Sequence, residues 1–256
     1  MAKKIVFIPR DISSGHSIVR DVSEPPLPAK VFIPQWYKDG EMFLNSYSHL
    51  KTDSGDPDRV GGMKSCIPFL DAMLSGYMLH TWVDVEITRN DGKVEWVYVQ
   101  ENEYTGKAEH LNDYPVPMML ERPGDIGETI PRPAGHASNH MAFNGMWGIK
   151  VPQGWSIMVT HPFNRYDLPF TTMSGFMDSD EFTASGNVPF FLREGWTGVI
   201  PKNTPFAQLI PIQRKTWVSQ IDKGYHDIWA SEVGKRSRSV KYGYYKKNIW
   251  QRKNYS

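Results

Sequence analysis

The hydrophobic positions of this chain recur with a period of two. Val83, Val85 and Ile87 alternate with polar or charged neighbours, and Val94, Trp96 and Tyr98 do the same after an Asn-Asp-Gly turn. Such alternation marks half-buried strands, and Asp-Gly supplies the positive φ angles of a tight hairpin turn. WVDVEITRNDGKVEWVYV is therefore predicted to be a β-hairpin. MWGIKVPQGWSIMVTHP reads as a second hairpin, turning at Pro152-Gln153-Gly154. VPFFL, WTGVI and FAQLIPIQ read as three more short strands. Proline and glycine recur at short intervals, and no long stripe of period 3.6 appears before residue 214, the pattern of many short strands joined by turns.

Helical signal is sparse. SCIPFLDAML accommodates one or two helical turns. RKTWVSQIDKGYHDIWASEV reads as a helix with Trp217, Ile221, Ile228 and Trp229 on one face, weakened by Gly224. Residues 1–65 read as an irregular extension: EPPLPAKVFIPQWY is proline-limited and extended, and KTDSGDPDRVGG is a polar loop. Residues 103–140 are loop-rich. The expected organisation is an irregular extension over 1–65, a β-rich core over 66–213, and a helix with a basic aromatic tail over 214–256. The expected fold class is mainly β.

Composition narrows the function classes. A chain of 256 residues and 29.4 kDa can bury a real core. Nine Trp and twelve Tyr, within an aromatic fraction of 13%, suit strands and interfaces. A net charge of +1 argues against a surface built wholly for nucleic acid. The single Cys66 excludes a disulfide framework and a cysteine-rich metal site, and it is expected to be a small buried residue beside an apolar stretch. No apolar run approaches the roughly 18 residues needed to span a bilayer, which predicts a soluble protein without a membrane partner.

GFMDSDEF (175–182) places Asp178, Asp180 and Glu181 in one tight turn between two apolar runs. Three readings stand. The carboxylates cap backbone N–H groups and face water; or the turn is the floor of a site in which Asp178 polarises a water or binds a hydroxyl; or the three acids hold a divalent cation, although their spacing is not that of a calcium loop. His136 and His140 at i, i+4 suit zinc only on a helix, and PRPAGHASNH is a poor one, so no metal site is assigned. Ser75 and Ser174 precede glycines but lack a nucleophile-elbow pattern. In the tail, Lys and Arg are interleaved with Tyr244, Tyr245 and Trp250. That combination suits packing on a partner or neighbouring subunit, and less readily phosphate neutralisation with base stacking.

Five segments in order resemble the dUTPase and dCTP deaminase superfamily. SGYMLHTWVDVEI is similar to the opening motif with its Gly-Tyr pair. GIKVPQGWSIMVTHPFNR is similar to the run from a Pro-x-Gly turn into a phosphate-contacting Pro-Arg-Ser. SGFMDSDEF is similar to the motif in which Gly, two apolar residues and Asp precede a Tyr. VPFFL and WTGVIPKNTPFAQLIPI are similar to the closing strands. The resemblance covers roughly residues 70–213 and implies a trimeric dUTPase-like β-clip or jelly-roll-type core. It places Asp178 at the water-holding aspartate, Asn164 and Arg165 near phosphate, and Gln208 in support, with Mg²⁺ as cofactor if the chain is an enzyme and none otherwise. The departures are specific. Glu181 stands where the tyrosine belongs, Pro-Arg-Ser has become Pro162-Phe163-Asn164 with Arg165 one place late, and the glycine-rich C-terminal arm is replaced by the basic tail.

Ile-Pro-x-Trp-Tyr at 33–37, KSCIPFLDAM at 64–73, the Asp-Ser-Asp turn and the Trp-rich tail together resemble an uncharacterised family of tailed, T4-like phages. That implies a setting in the infected host's cytoplasm or in the virion, with other phage proteins as partners. Two functions follow: a non-catalytic oligomeric scaffold or virion component, and, as the alternative, a nucleoside triphosphate pyrophosphatase or nucleotide-binding protein.

Overall fold

The computed structural model describes residues 3–10, 23–44, 60–102, 104–111, 117–122, 130–221, 227, 229–234 and 244–256. The chain is mainly β, as the alternation predicts, and its strands are all paired antiparallel. It divides into two units, one formed by 1–28 with 76–214 and the other by 29–75 with 215–256.

Two of the sheets of the first unit share an aromatic core. One has five strands in the order β14 (Gly175–Met177), β12 (Trp155–Thr160), β17 (Pro205–Gln213), β5 (Tyr77–His80) and β2 (Leu27–Pro28). The other has four, in the order β13 (Phe170–Thr172), β15 (Val188–Arg193), β10 (His136–Phe143) and β9 (Met119–Glu121). They meet through Phe143, Phe170, Phe190 and Phe206, one from each of β10, β13, β15 and β17, all at most 1% exposed. Phe143 stacks 4.0 Å from Phe190 and 4.5 Å from Phe206, and meets Phe170 edge-on at 4.9 Å. Rings of this size dominate core energetics, and each buried ring contributes about 1.5–3 kcal/mol of transfer free energy.

The predicted hairpin is present. β6 (Asp84–Asn90) pairs with β7 (Lys93–Glu101) in a register running from Asp84↔Val99 to Asn90↔Lys93. Its two-residue turn has φ of 48° at Asp91 and 77° at Gly92, which matches the right-handed twist of the flanking strands. Val85, Ile87 and Tyr98 lie on its buried face. β16 (Gly198–Ile200) and β8 (Ala108–Leu111) complete this sheet.

The second predicted hairpin is absent. Both strands form, and Trp155 N–H still donates to Pro152 C=O across the turn at 3.1 Å. However, β11 (Trp147–Lys150) pairs with β1 (Val6–Pro9), while β12 pairs with β14 and β17. The turn moves the chain between sheets because each strand finds a longer-range partner.

Gly76 lets β5 enter the sheet. Its φ is +73°, and a Cβ there would lie 1.9 Å from the Leu209 carbonyl oxygen of β17. All four residues of β5 are buried, consistent with its place between β17 and β2.

In the second unit, the predicted short helix spans Ile67–Leu74 with a proline in its first turn. A helical turn at Gln35–Asp39 and the two-residue strands β3 (Phe43–Leu44) and β4 (Val60–Gly61) precede it. Cys66 is exposed, against expectation: it occupies the extended N-cap position of the helix, where the chain turns outward. The helix expected from residue 214 is also corrected. Residues 214–221 are not helical, and Trp217 and Ile221 are 86% and 89% exposed; among the described residues of this stretch, helix appears at 227 and over 229–234. Gly224 and Ile228 lie outside the described residues. Among the described residues, no helix is long and apolar enough to cross a membrane.

Candidate functional site

The acidic turn follows β14 and is held by a single arginine. Arg214, one residue past β17, places Nη1 2.9 Å from Asp180 Oδ1 and 3.0 Å from Asp178 Oδ1. Its Nη2 donates to Asp180 Oδ2, which also accepts the Gly154 backbone N–H at 2.8 Å. Ser156 Oγ donates to Asp178 Oδ1 at 2.6 Å, and Gln153 Nε2 donates to Glu181 Oε1 at 2.9 Å. Within the turn, Phe182 N–H donates to Asp178 C=O at 2.9 Å. The three carboxylates thus tie the 151–156 turn, the 178–182 turn and the end of β17 together.

Electrostatics follow the contacts. The Ser156 hydroxyl, then the Arg214 guanidinium, hold the Asp178 carboxyl below its ordinary value. Arg214 does the same for Asp180 against an opposing cost of desolvation, and the two acids raise Arg214 in return. Asp178 keeps 64% of its side chain exposed, whereas Asp180 keeps 1%. This is the capping reading with an arginine added. The turn does not fit a divalent cation, because Asp180 is committed to Arg214 and Gly154, and Glu181 to Gln153. Among the described residues no group of three or more His, Cys, Asp or Glu side chains is placed to hold a metal.

Gln208, Asn164 and Arg165 lie at or just past the far end of β12. Thr160 is opposite Gln208 in the register, while Ser156 is opposite Ile212. The two ends are separated by about 13 Å of strand, at roughly 3.3 Å per residue. Gln208, fully buried, accepts the Phe163 backbone N–H at 2.8 Å. Asn164 has φ +61° in the turn that follows. Arg165 is bound by Asp167, with Nε 2.9 Å from Oδ1 and Nη2 2.8 Å from Oδ2. Within one chain, Asp178 does not meet Asn164, Arg165 or Gln208. His136 lies at the start of β10, with Nε2 2.9 Å from Thr171 Oγ1, and His140 is buried against Phe191; they do not converge. Tyr244 and Tyr245 begin a helical turn over Tyr244–Asn248. Trp250 Nε1 donates to Asp71 Oδ2 at 2.8 Å, inside its own unit.

The sequence reading missed a cleft of about 380 Å³ beside β14. Its base is buried and apolar, formed by Leu79, Trp147, Ile149, Val188 and Leu209. Its rim carries Ser174, Phe176 and Asn187, all exposed. Trp147 Nε1 donates to Ser23 Oγ at 3.2 Å, so the polar atom of the ring is satisfied. Segment 183–187 crosses β11 closely: a Cβ at Gly145 would lie 1.8 Å from the Gly186 oxygen, and one at Gly148 2.3 Å from the Thr183 oxygen. The recurrent glycines of NGMWG and ASGN carried this signal, but only paired in space do they mark a crossing.

No protein-family model matches the chain, and no curated protein matches it. Among solved structures, a mutant dUTPase from phage phi11 of S. aureus is similar at 9% identity, covering 59% of this chain and 85% of that one, with a TM-score of 0.29. At that score the likeness carries no weight for fold or function.

Proposed function

We propose that this chain is a non-catalytic, phage-associated scaffold or assembly module that uses a dUTPase-like β-core to form a homo-oligomer, a trimer being favoured. The observation that carries this reading is the commitment of the acidic turn to Arg214. A residue that must orient water needs a free carboxylate facing a substrate; here Asp178 shares its Oδ1 with Ser156 and Arg214, and Arg165 is neutralised by Asp167. The motif departures in the sequence point the same way. Virion or host-cytoplasm placement, and other phage proteins as partners of the tail around Tyr244, Tyr245 and Trp250, belong to the same proposal; nucleic acid is the weaker partner.

The alternative is a nucleotide pyrophosphatase or nucleotide-binding protein. The exposure of Asp178, 64% of its side chain, is the observation in its favour, and a neighbouring subunit would have to bring the phosphate-side residues to it. Light scattering on the full chain tests the first reading: a trimer is expected, and a clean monomer overturns the oligomeric scaffold. Incubation with a panel of deoxynucleoside triphosphates and Mg²⁺ separates the two. No turnover is expected; release of monophosphate and pyrophosphate, abolished by Asp178→Asn with the oligomer intact, would establish the alternative.

A further inference from the structure

We propose that the cleft beside β14 is a binding site for a neutral, compact apolar small molecule whose polar end stays at the rim. This goes beyond the scaffold reading and does not depend on it.

Charge sets the ligand class. Among the described residues, the fifteen that line the cleft include no ionisable side chain. A phosphate, carboxylate or ammonium group entering it would lose hydration with no counter-charge in return, which is costly. The buried base of Leu79, Trp147, Ile149 and Leu209 offers only carbon surface to an occupant. The polar side chains, Ser174 and Asn187, are at the exposed rim. The site is therefore polarised along its depth, and its volume of about 380 Å³ falls within the range of small-molecule sites.

Two glycines keep that volume open. Gly175 and Gly186 both line the cleft, neither has a positive φ, and a Cβ on either would meet nothing within 4 Å. Sterically, either position accepts a side chain, unlike Gly145, where the Gly186 oxygen forbids one. Gly175 is the first residue of β14, and glycine at a strand leaves room for the close approach of a ligand or of another backbone. At this strand the consequence of glycine is open space over an apolar floor.

The test compares two fluorescent probes with the same ring system on the full-length protein: uncharged N-phenyl-1-naphthylamine and its 8-sulfonate analogue. Saturable binding of the uncharged probe is expected, with the sulfonate weaker by about tenfold or more from the uncompensated charge. In ¹³C-methyl methionine spectra, the uncharged probe should shift Met173 and Met177, which line the cleft, and leave Met42 and Met63 unmoved. Gly186→Leu and Gly175→Val, from two different segments, should each abolish binding without lowering the melting temperature. If one variant fails to fold, the other carries the same test. Equal affinity for the two probes, an unmoved Met173, or full binding by a folded filled variant would overturn the proposal.

Discussion

Arg214 and Asp180 form a two-point contact in which both guanidinium Nη atoms face both carboxylate oxygens, and the acid is almost wholly withdrawn from water. Asp178 touches the same arginine from the solvent side. The two acids of one turn therefore have different standing. Removing Arg214 leaves a buried carboxylate without its counter-charge, whereas removing the Asp178 charge leaves an exposed site to be filled by water. Arg214→Ala is expected to lower the melting temperature clearly, and Asp178→Asn only slightly. Thermal melts followed by circular dichroism check the order; equal effects would mean that the latch does not depend on burial.

The same latch answers to acid. Folded-state values of Asp178 and Asp180 lie below the ordinary 3.8, so the unfolded chain takes up protons first as pH falls. The stability they contribute is complete above about pH 4 and is lost as pH drops through their folded values. The histidines act earlier. Burial lowers His80, His140 and His161 below the ordinary 6.5. His161 is held neutral, its Nδ1 accepting the Thr172 N–H at 3.2 Å and its Nε2 3.2 Å from the Arg165 carbonyl oxygen. Below pH 6.5 the unfolded state binds protons that the folded state refuses, so stability falls as pH falls and levels off below the folded values. Urea denaturation at pH 8 and pH 5.5 should show the higher midpoint at pH 8. A flat profile would mean that these side chains are solvated.

Much of the β architecture was legible because strand alternation and turn chemistry are local. Asp91-Gly92 sets its own hairpin, and Val85, Ile87 and Tyr98 reveal its inner face. The pairing of β11 and β12 was not legible, because a good turn at Pro152-Gln153-Gly154 does not say whether the flanking strands prefer each other or β1, β14 and β17. The acidic turn was visible as a cluster of charge. Its partner was not: Arg214 is remote in sequence and stood at the head of an expected helix. The cleft was invisible for a similar reason, since Gly175 and Gly186 acquire meaning only from atoms that are absent around them in space.

Core packing yields a sharper contrast. Phe143 is wholly buried and contacts three other rings, while Phe176 is 71% exposed. Phe143→Ala should cost about 3–5 kcal/mol, and Phe176→Ala should stay within about 0.5 kcal/mol of the parent. Chemical denaturation of both variants measures the gap. A small loss at Phe143 would show that the two sheets do not rely on this cluster.

Gly76 and Gly92 separate backbone strain from steric exclusion. Both have φ above +70°, so alanine at either position meets the same left-handed penalty, about 1–2 kcal/mol. Around Gly92 a Cβ finds open space, and the hairpin turn can carry the strain. Around Gly76 it meets the Leu209 oxygen at 1.9 Å and the Leu209 carbonyl carbon at 2.9 Å. Those atoms are backbone of β17, which is paired with β12 on its other side, so they cannot withdraw without opening the five-stranded sheet. Gly92→Ala is therefore expected to fold with a loss of about 1–2 kcal/mol, while Gly76→Ala should lose far more or fail to accumulate as folded protein. Expression and denaturation of the two variants side by side make the comparison. Near-equal losses would mean that the β5–β17 contact yields readily, and that the Gly-Tyr opening of the core is needed for its φ angle alone.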